Sequence, residues 1–109
     1  MHNVAEFYKL IYVTEKQIPK RDRFGIFMRI ENTCLVLFEN IISAAISQKQ
    51  DKIQFVKNSQ KQIEIIKRLI RITYELGIIK DKNYFKISEE AVEISKMING
   101  WIKYLEKPL

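Results

Sequence analysis

Four stretches of this chain repeat apolar residues at steps of three and four, the spacing that lines side chains up along one side of an α-helix. Val4, Phe7, Tyr8, Ile11 and Ile18 predict a first helix over 4–18, with Asn3 placed to cap it and Pro19 ending it. After "IPKRDRFG", where Asp22 is a natural cap and Gly25 falls in the first turn, a second helix is predicted over 22–48. Its seam is Phe27, Ile30, Cys34, Leu37, Ile41 and Ala44. The polar turn "SQKQDK", with Asp51 as a possible cap, leads into a third helix over 52–76. Its inner line is Val56, Ile63, Ile66, Ile70 and Thr73, and Gly77 suits the left-handed position that follows a helix end. Asp81 opens a fourth helix over 82–105, whose line of Tyr84, Ile87, Ala91, Ile94, Ile98, Trp101 and Leu105 is the most regular of the four. Connections this short make successive helices antiparallel. The expected fold is all-α, an up-down-up-down four-helix bundle occupying 1–109 as a single domain.

The second helix is more apolar than a single buried face requires. Fifteen of the twenty-three residues from Phe24 to Ile46 are apolar, whereas one core-facing stripe uses about three positions in seven. Met28, Leu35, Val36, Phe38, Ile42 and Ala45 are the surplus, and they imply burial on a second side. In a bundle this small, another subunit is the neighbour that would supply it.

Composition narrows the function classes. With 109 residues, 47% of them apolar, the chain has enough material for one core and not for two. Three Gly and two Pro are too few turn residues for a sheet of many short strands. The single cysteine, Cys34, has no internal disulfide partner, and Glu6 interrupts the apolar run that a secretory leader would need in "MHNVAEFYKL". A cytoplasmic protein is expected, and without any window of about 18 uncharged apolar residues no membrane span is expected either.

Catalysis finds no residues to rest on. Bundles that perform chemistry commonly hold metals through inward carboxylates and Glu-x-x-His pairs, but His2 is the only histidine and sits beside Met1. Cys34 lies on a core seam with no histidine partner, as an inert buried thiol would. Glu89, Glu90 and Glu93 fall early in the fourth helix, where they complement the dipole and can pair with Lys86 or Lys96. Neither a phosphate-binding glycine loop nor a Ser-His-Asp set nor a CxxC occurs. The expectation is a protein that is not an enzyme and takes no cofactor, no metal and no small-molecule substrate. Trp101, at helical spacing, reads as a core or interface anchor.

Charge changes the picture most. Nineteen Lys and Arg against thirteen Asp and Glu give +6, which favours anionic partners such as nucleic acid. Residues 51–79 hold six basic and three acidic side chains, and 24–50 hold two of each. At 100° per residue, Lys57, Lys61, Lys67, Arg68 and Arg71 fall within about a third of the third helix's circumference, opposite Ile66 and Ile70. Glu64 and Glu75 share that arc and can pair with Arg68 and Arg71 at i, i+4. Lys20, Arg21 and Arg23 form a second basic group in the first linker, at the end of the bundle to which the third helix runs.

In this order, "IPKRDRF" at a helix start, "RIEN" at Arg29–Asn32, the basic "KRLIR" before "LGII", and "GWIK" at Gly100–Lys103 resemble the accessory variability determinant (Avd) family of diversity-generating retroelements, over about Phe7 to Lys103. The resemblance implies a four-helix bundle assembled as a homopentameric barrel. It further implies an accessory protein that binds the element's reverse transcriptase and contacts template RNA or cDNA through basic surface, the error-prone synthesis being the partner's chemistry. Basic residues four apart in the third helix, implicated in the family in partner binding, match Lys67 and Arg71, with Arg68 beside them. Lys20, Arg21, Arg23, Lys57 and Lys61 are the candidate nucleic-acid contacts. The chain is also similar to bundle proteins encoded in intervening sequences of ribosomal RNA genes, which implies the alternative of an oligomeric scaffold without a reverse transcriptase.

Overall fold

The computed structural model describes residues 4–108, so the Asn3 cap and His2 lie outside the described residues. Helices account for almost all of it: α1 (Val4–Thr14), a short α2 (Lys20–Arg23), α3 (Ile26–Ile46), α4 (Lys49–Glu75) and α5 (Asp81–Leu105). Together they form a rod of 50 × 21 × 19 Å. α4 packs on α3 along one side and on α5 along the other, and α1 bridges α3 and α5 across the bundle. The four long helices thus make the expected four-helix bundle.

Two linker details differ from the sequence expectation, each for a local reason. The first helix stops at Thr14 rather than 18: Glu15–Gln17 tighten into a 3₁₀ turn and Ile18 is extended (φ −94°, ψ 133°), as the residue before a proline prefers. The second helix does not start at 22. Asp22 sits inside the separate turn α2, its side chain caps nothing, and Gly25 (φ −104°, ψ −116°) breaks the run before Ile26. A Cβ at Gly25 would lie 3.3 Å from the Arg21 carbonyl oxygen, so a side chain there would crowd the turn between α2 and α3.

The other two ends shift by less. α4 begins at Lys49 with Gln48 at its N-cap, which leaves Asp51 in the first turn. The joint is closed from the other side, where Lys52 Nζ donates to the last carbonyls of α3, Ala44 at 2.8 Å and Ala45 at 3.1 Å. Gly77 takes φ +74° after α4, as expected of a left-handed helix stop. Lys80 then occupies the N-cap of α5, with Asp81 in the first turn.

Most of the core follows the lines read from the periodicity, to which the structure adds Ile79 and Ile102, both buried. Phe7 and Ile11 of α1 meet Phe27, Ile30, Cys34 and Leu37 of α3, all without solvent exposure or nearly so. Val56, Ile63, Ile66 and Ile70 of α4 close on Ile87, Ala91, Ile94 and Ile98 of α5. Ile41, Tyr84, Trp101 and Leu105 sit at the margins, half-buried. Ser59 and Thr73 are buried too, and each hydroxyl donates to a carbonyl of its own helix, Phe55 at 2.9 Å and Ile70 at 2.6 Å, so neither leaves an unmet polar atom.

The surplus on α3 stays outside. Met28, Leu35 and Ile42 recur every seven residues, 39%, 40% and 44% exposed, on the side of the helix opposite Leu37. Val36 and Ala45 are exposed beside them and Phe38 is half-buried. Ala5, Tyr8 and Lys9 of α1 share a hollow of about 140 Å³ with Leu35 and Phe38 of α3.

Because Ile66 is fully buried where α4 meets its neighbours, Ile66→Ala should cost about 2 to 5 kcal/mol of folding stability. Urea denaturation checks this through a lowered midpoint at unchanged slope.

Candidate functional site

The inward line of α4 decides where its charges go. With Val56, Ile63, Ile66 and Ile70 turned into the core, Lys57, Lys61, Arg68, Arg71 and Glu75 emerge on the outside, and Glu64 and Lys67 lie half-buried toward α5. Across from them α5 carries Ser88 and Ala91. These small side chains leave a groove of about 590 Å³ between the two helices. Lys67, Arg68 and Arg71 stand along its α4 wall, Ile70 and Ala91 form a buried floor, and Ile72 and Val92, 42% and 40% exposed, are apolar lips.

One carboxylate serves two of the three cations. Glu64 is 3.1 Å from Lys67 Nζ and 3.1 Å from Arg68 Nη1, and it also accepts from Ser95 Oγ at 3.4 Å. Burial works against the Glu64 charge, but the Lys67 ammonium and the Arg68 guanidinium outweigh it and hold the carboxyl below its ordinary value. Arg71 pairs with Glu75 at 3.5 Å. At one end of the groove Tyr84 stacks on Tyr74, ring centroids 3.9 Å apart and 5° from parallel. The Tyr74 hydroxyl donates to Asp81 at 2.9 Å, a bond that, with some burial and the Asp81 charge, raises its pKa.

The remaining candidate residues do not converge. Lys20, Arg21 and Arg23 lie on α2, at the Gly77 end of the rod; Asn83 Nδ2 donates to Gln17 Oε1 at 2.6 Å and ties that linker to the start of α5. Lys20 and Arg21 are exposed, with Arg21 3.7 Å from Asp22, whereas the Arg23 guanidinium turns back to donate to the Ile18 carbonyl at 2.8 Å. Lys57 and Lys61 belong to the first half of α4, about 24 to 30 Å of helix away from Gly77. Lys61 is exposed and Lys57 pairs with Glu106, just past the end of α5, at 3.4 Å. The local pairs Glu64–Arg68 and Glu75–Arg71 follow from spacing, as does Glu93–Lys96 at 3.6 Å. Lys57–Glu106 joins residues far apart in the chain and has no signal in either helix alone.

A second feature also crosses helices. Glu31 of α3 is raised from the ordinary 4.5 to about 7, first by burial, then by a hydrogen bond with the Glu15 carboxyl and by that group's charge. The Cys34 thiol is pushed up to about 12 by burial and is not a nucleophile. Among the described residues no three His, Cys, Asp or Glu gather as metal ligands, and no helix is long and apolar enough to cross a membrane.

The family model described as bAvd-like matches residues 2–105, nearly the whole chain. No curated protein matches it.

The Glu15–Glu31 pair gives the fold a pH dependence with a defined sign. A carboxyl whose folded pKa is about 7 keeps a proton that the unfolded chain releases near 4.5. Its contribution to stability is therefore complete below pH 4.5 and is lost as pH rises through 7. The melting temperature should be lower at pH 8 than at pH 5, and Glu31→Gln should flatten that difference. Thermal melts of both proteins at the two pH values measure it.

Proposed function

The chain belongs to the bAvd-like family, and we propose that it is the accessory, non-catalytic protein of a diversity-generating retroelement. In this reading it binds the element's reverse transcriptase and its template RNA or cDNA in the cytoplasm and supports mutagenic synthesis that the partner catalyses. The family match over residues 2–105 carries the reading. Avd-type function requires no catalytic residues of the bundle itself.

The reading distributes the surface among three partners. The α4–α5 groove, with Lys67, Arg68 and Arg71 on one wall, is where the reverse transcriptase docks. It is supported by the cations' common face and by an apolar floor that a protein side chain can cover. Lys20, Arg21 and Arg23 at one end of the rod, and Lys57 and Lys61 toward the other, contact phosphates. Their separation along the bundle suits a long polyanion better than a compact ligand. Met28, Leu35 and Ile42 on the outer side of α3 bury themselves against neighbouring copies in a homopentamer.

Charge reversal tests the enzyme contact. The double variant Lys67→Glu, Arg71→Glu breaks ion pairs on half-exposed and exposed side chains, each worth about 0 to 1 kcal/mol. It should lower the melting temperature by a few degrees at most, yet fail to co-purify with the reverse transcriptase of the same element. Wild-type recovery of the enzyme would place the contact elsewhere.

Salt tests the nucleic-acid contact. Log affinity for RNA should fall linearly with log salt, and Lys20→Ala with Arg21→Ala should shallow that slope by roughly 1 to 2 units at every sequence tried. A flat response in the wild type would remove RNA from the list of partners.

A further inference from the structure

We propose that the α4–α5 groove is a slot for an acidic peptide segment carrying a short apolar anchor, and that Glu64 occupies its cationic rim until such a segment displaces it. The proposal rests on the reading above only for the identity of the protein that bears the segment, the reverse transcriptase.

The size and lining of the groove set the chemistry of the occupant. About 590 Å³ lies within the range of a specific binding cleft and accommodates a few side chains. Its floor of Ile70 and Ala91, between the exposed lips Ile72 and Val92, offers an apolar group burial and nothing to hydrogen-bond. The wall above it offers the reverse. Lys67, Arg68 and Arg71 supply three positive charges against the two carboxylates Glu64 and Glu75, so the wall carries one uncompensated charge.

Glu64 makes that wall switchable. It is the carboxylate at 3.1 Å from both Lys67 and Arg68, and the Glu64, Lys67 and Arg68 side chains are between one-third and three-quarters exposed. Such pairs are weak in water, so an incoming carboxylate trades places with Glu64 at little cost. The same two cations are strong partners once an apolar anchor has excluded solvent around them. Glu64 is thus an internal competitor: it lowers affinity for any acidic ligand and spares the free protein two unpaired cations.

A nucleic-acid strand fits the slot less well. Unstacked bases bind proteins through free aromatic faces, and the ring at the end of this groove, Tyr84, already has one face against Tyr74. The apolar lips would face sugars and phosphates, which do not cover them.

Methyl NMR on the full chain, labelled at isoleucine and valine, tests the slot with a defined probe: a capped hexapeptide of two leucines flanked on each side by two glutamates. The methyl signals of Ile70, Ile72 and Val92 should shift saturably, while those of Ile46 and Ile53 stay in place. Glu64→Gln should tighten binding roughly 2- to 5-fold, the opposite of what loss of a structural ion pair would do, and Val92→Asn should weaken it. Replacing the probe's leucines with serine should do the same. Unchanged affinity in Glu64→Gln, or shifts spread evenly over the protein, would overturn the proposal. So would a single-stranded RNA oligonucleotide that moves the same methyls more strongly. A fall in assembly mass in Val92→Asn would also overturn it, by putting a second copy in the slot. Capture of the reverse transcriptase is a separate arm. Probe binding without capture supports the slot and refutes the reading of who fills it, whereas capture without groove shifts refutes the slot itself.

Discussion

Burial of one line of α4, from Val56 through Ile63, Ile66 and Ile70 to Thr73, sets where every other element lies. The line faces α3 and α5 together, so α4 is the helix that joins the two halves of the rod, and its 27 residues extend for about 40 Å. At 3.6 residues per turn, a side chain that is inward at Ile66 and Ile70 forces Arg68 outward, with Lys67 at the α5 seam. The charges of α4 are therefore placed by its isoleucines. A one-residue change of register would carry Lys67 toward the core, where an ammonium has no partner, so the same constraint that holds the fold also fixes the groove wall.

The groove itself is a consequence of residue size on the facing helix. Ser88 and Ala91 stand where bulkier side chains would fill the space, and the larger residues of α5, Ile87, Ile94 and Ile98, point into the core instead. Packing two helices by small against large side chains usually closes such a gap. Here it stays open, with the Glu64 pairs over it and the Tyr74–Tyr84 stack at one end. Core and candidate site are two sides of one helical phase.

Much of this was legible in the sequence because periodicity is a local signal. The inner lines of all four long helices, the helix stop at Gly77 and the i, i+4 pairs on α4 each follow from residues within a few turns of one another. What was not legible depends on neighbours far apart in the chain. Glu15 and Glu31 share a hydrogen bond only because α1 packs on α3, and Lys57 meets Glu106 only because α4 and α5 are antiparallel. Asp22 failed as a cap for a different reason: Gly25 offers the backbone a break that the seam of α3 does not report. Lys20 and Lys57 share a sign but not a location, since charge composition carries no distance. The groove, too, is invisible to periodicity, which marks Ala91 as core without saying that its size leaves a hollow.

α3 remains the helix with two apolar sides, one spent on the core and one, Met28, Leu35 and Ile42, open to solvent in the single chain. Water disfavours such a stripe, and burying it against a second helix would be favourable by roughly 25 cal/mol for each Å² removed. The proposed homo-oligomerisation through this face would connect the physical description of the chain to its proposed role as an assembled accessory protein. Native mass spectrometry at micromolar concentration measures it directly. The expected result is a species of five 13.0 kDa chains that falls apart when Leu35 and Ile42 are replaced by glutamate. A stable 13.0 kDa monomer in the wild type would contradict it.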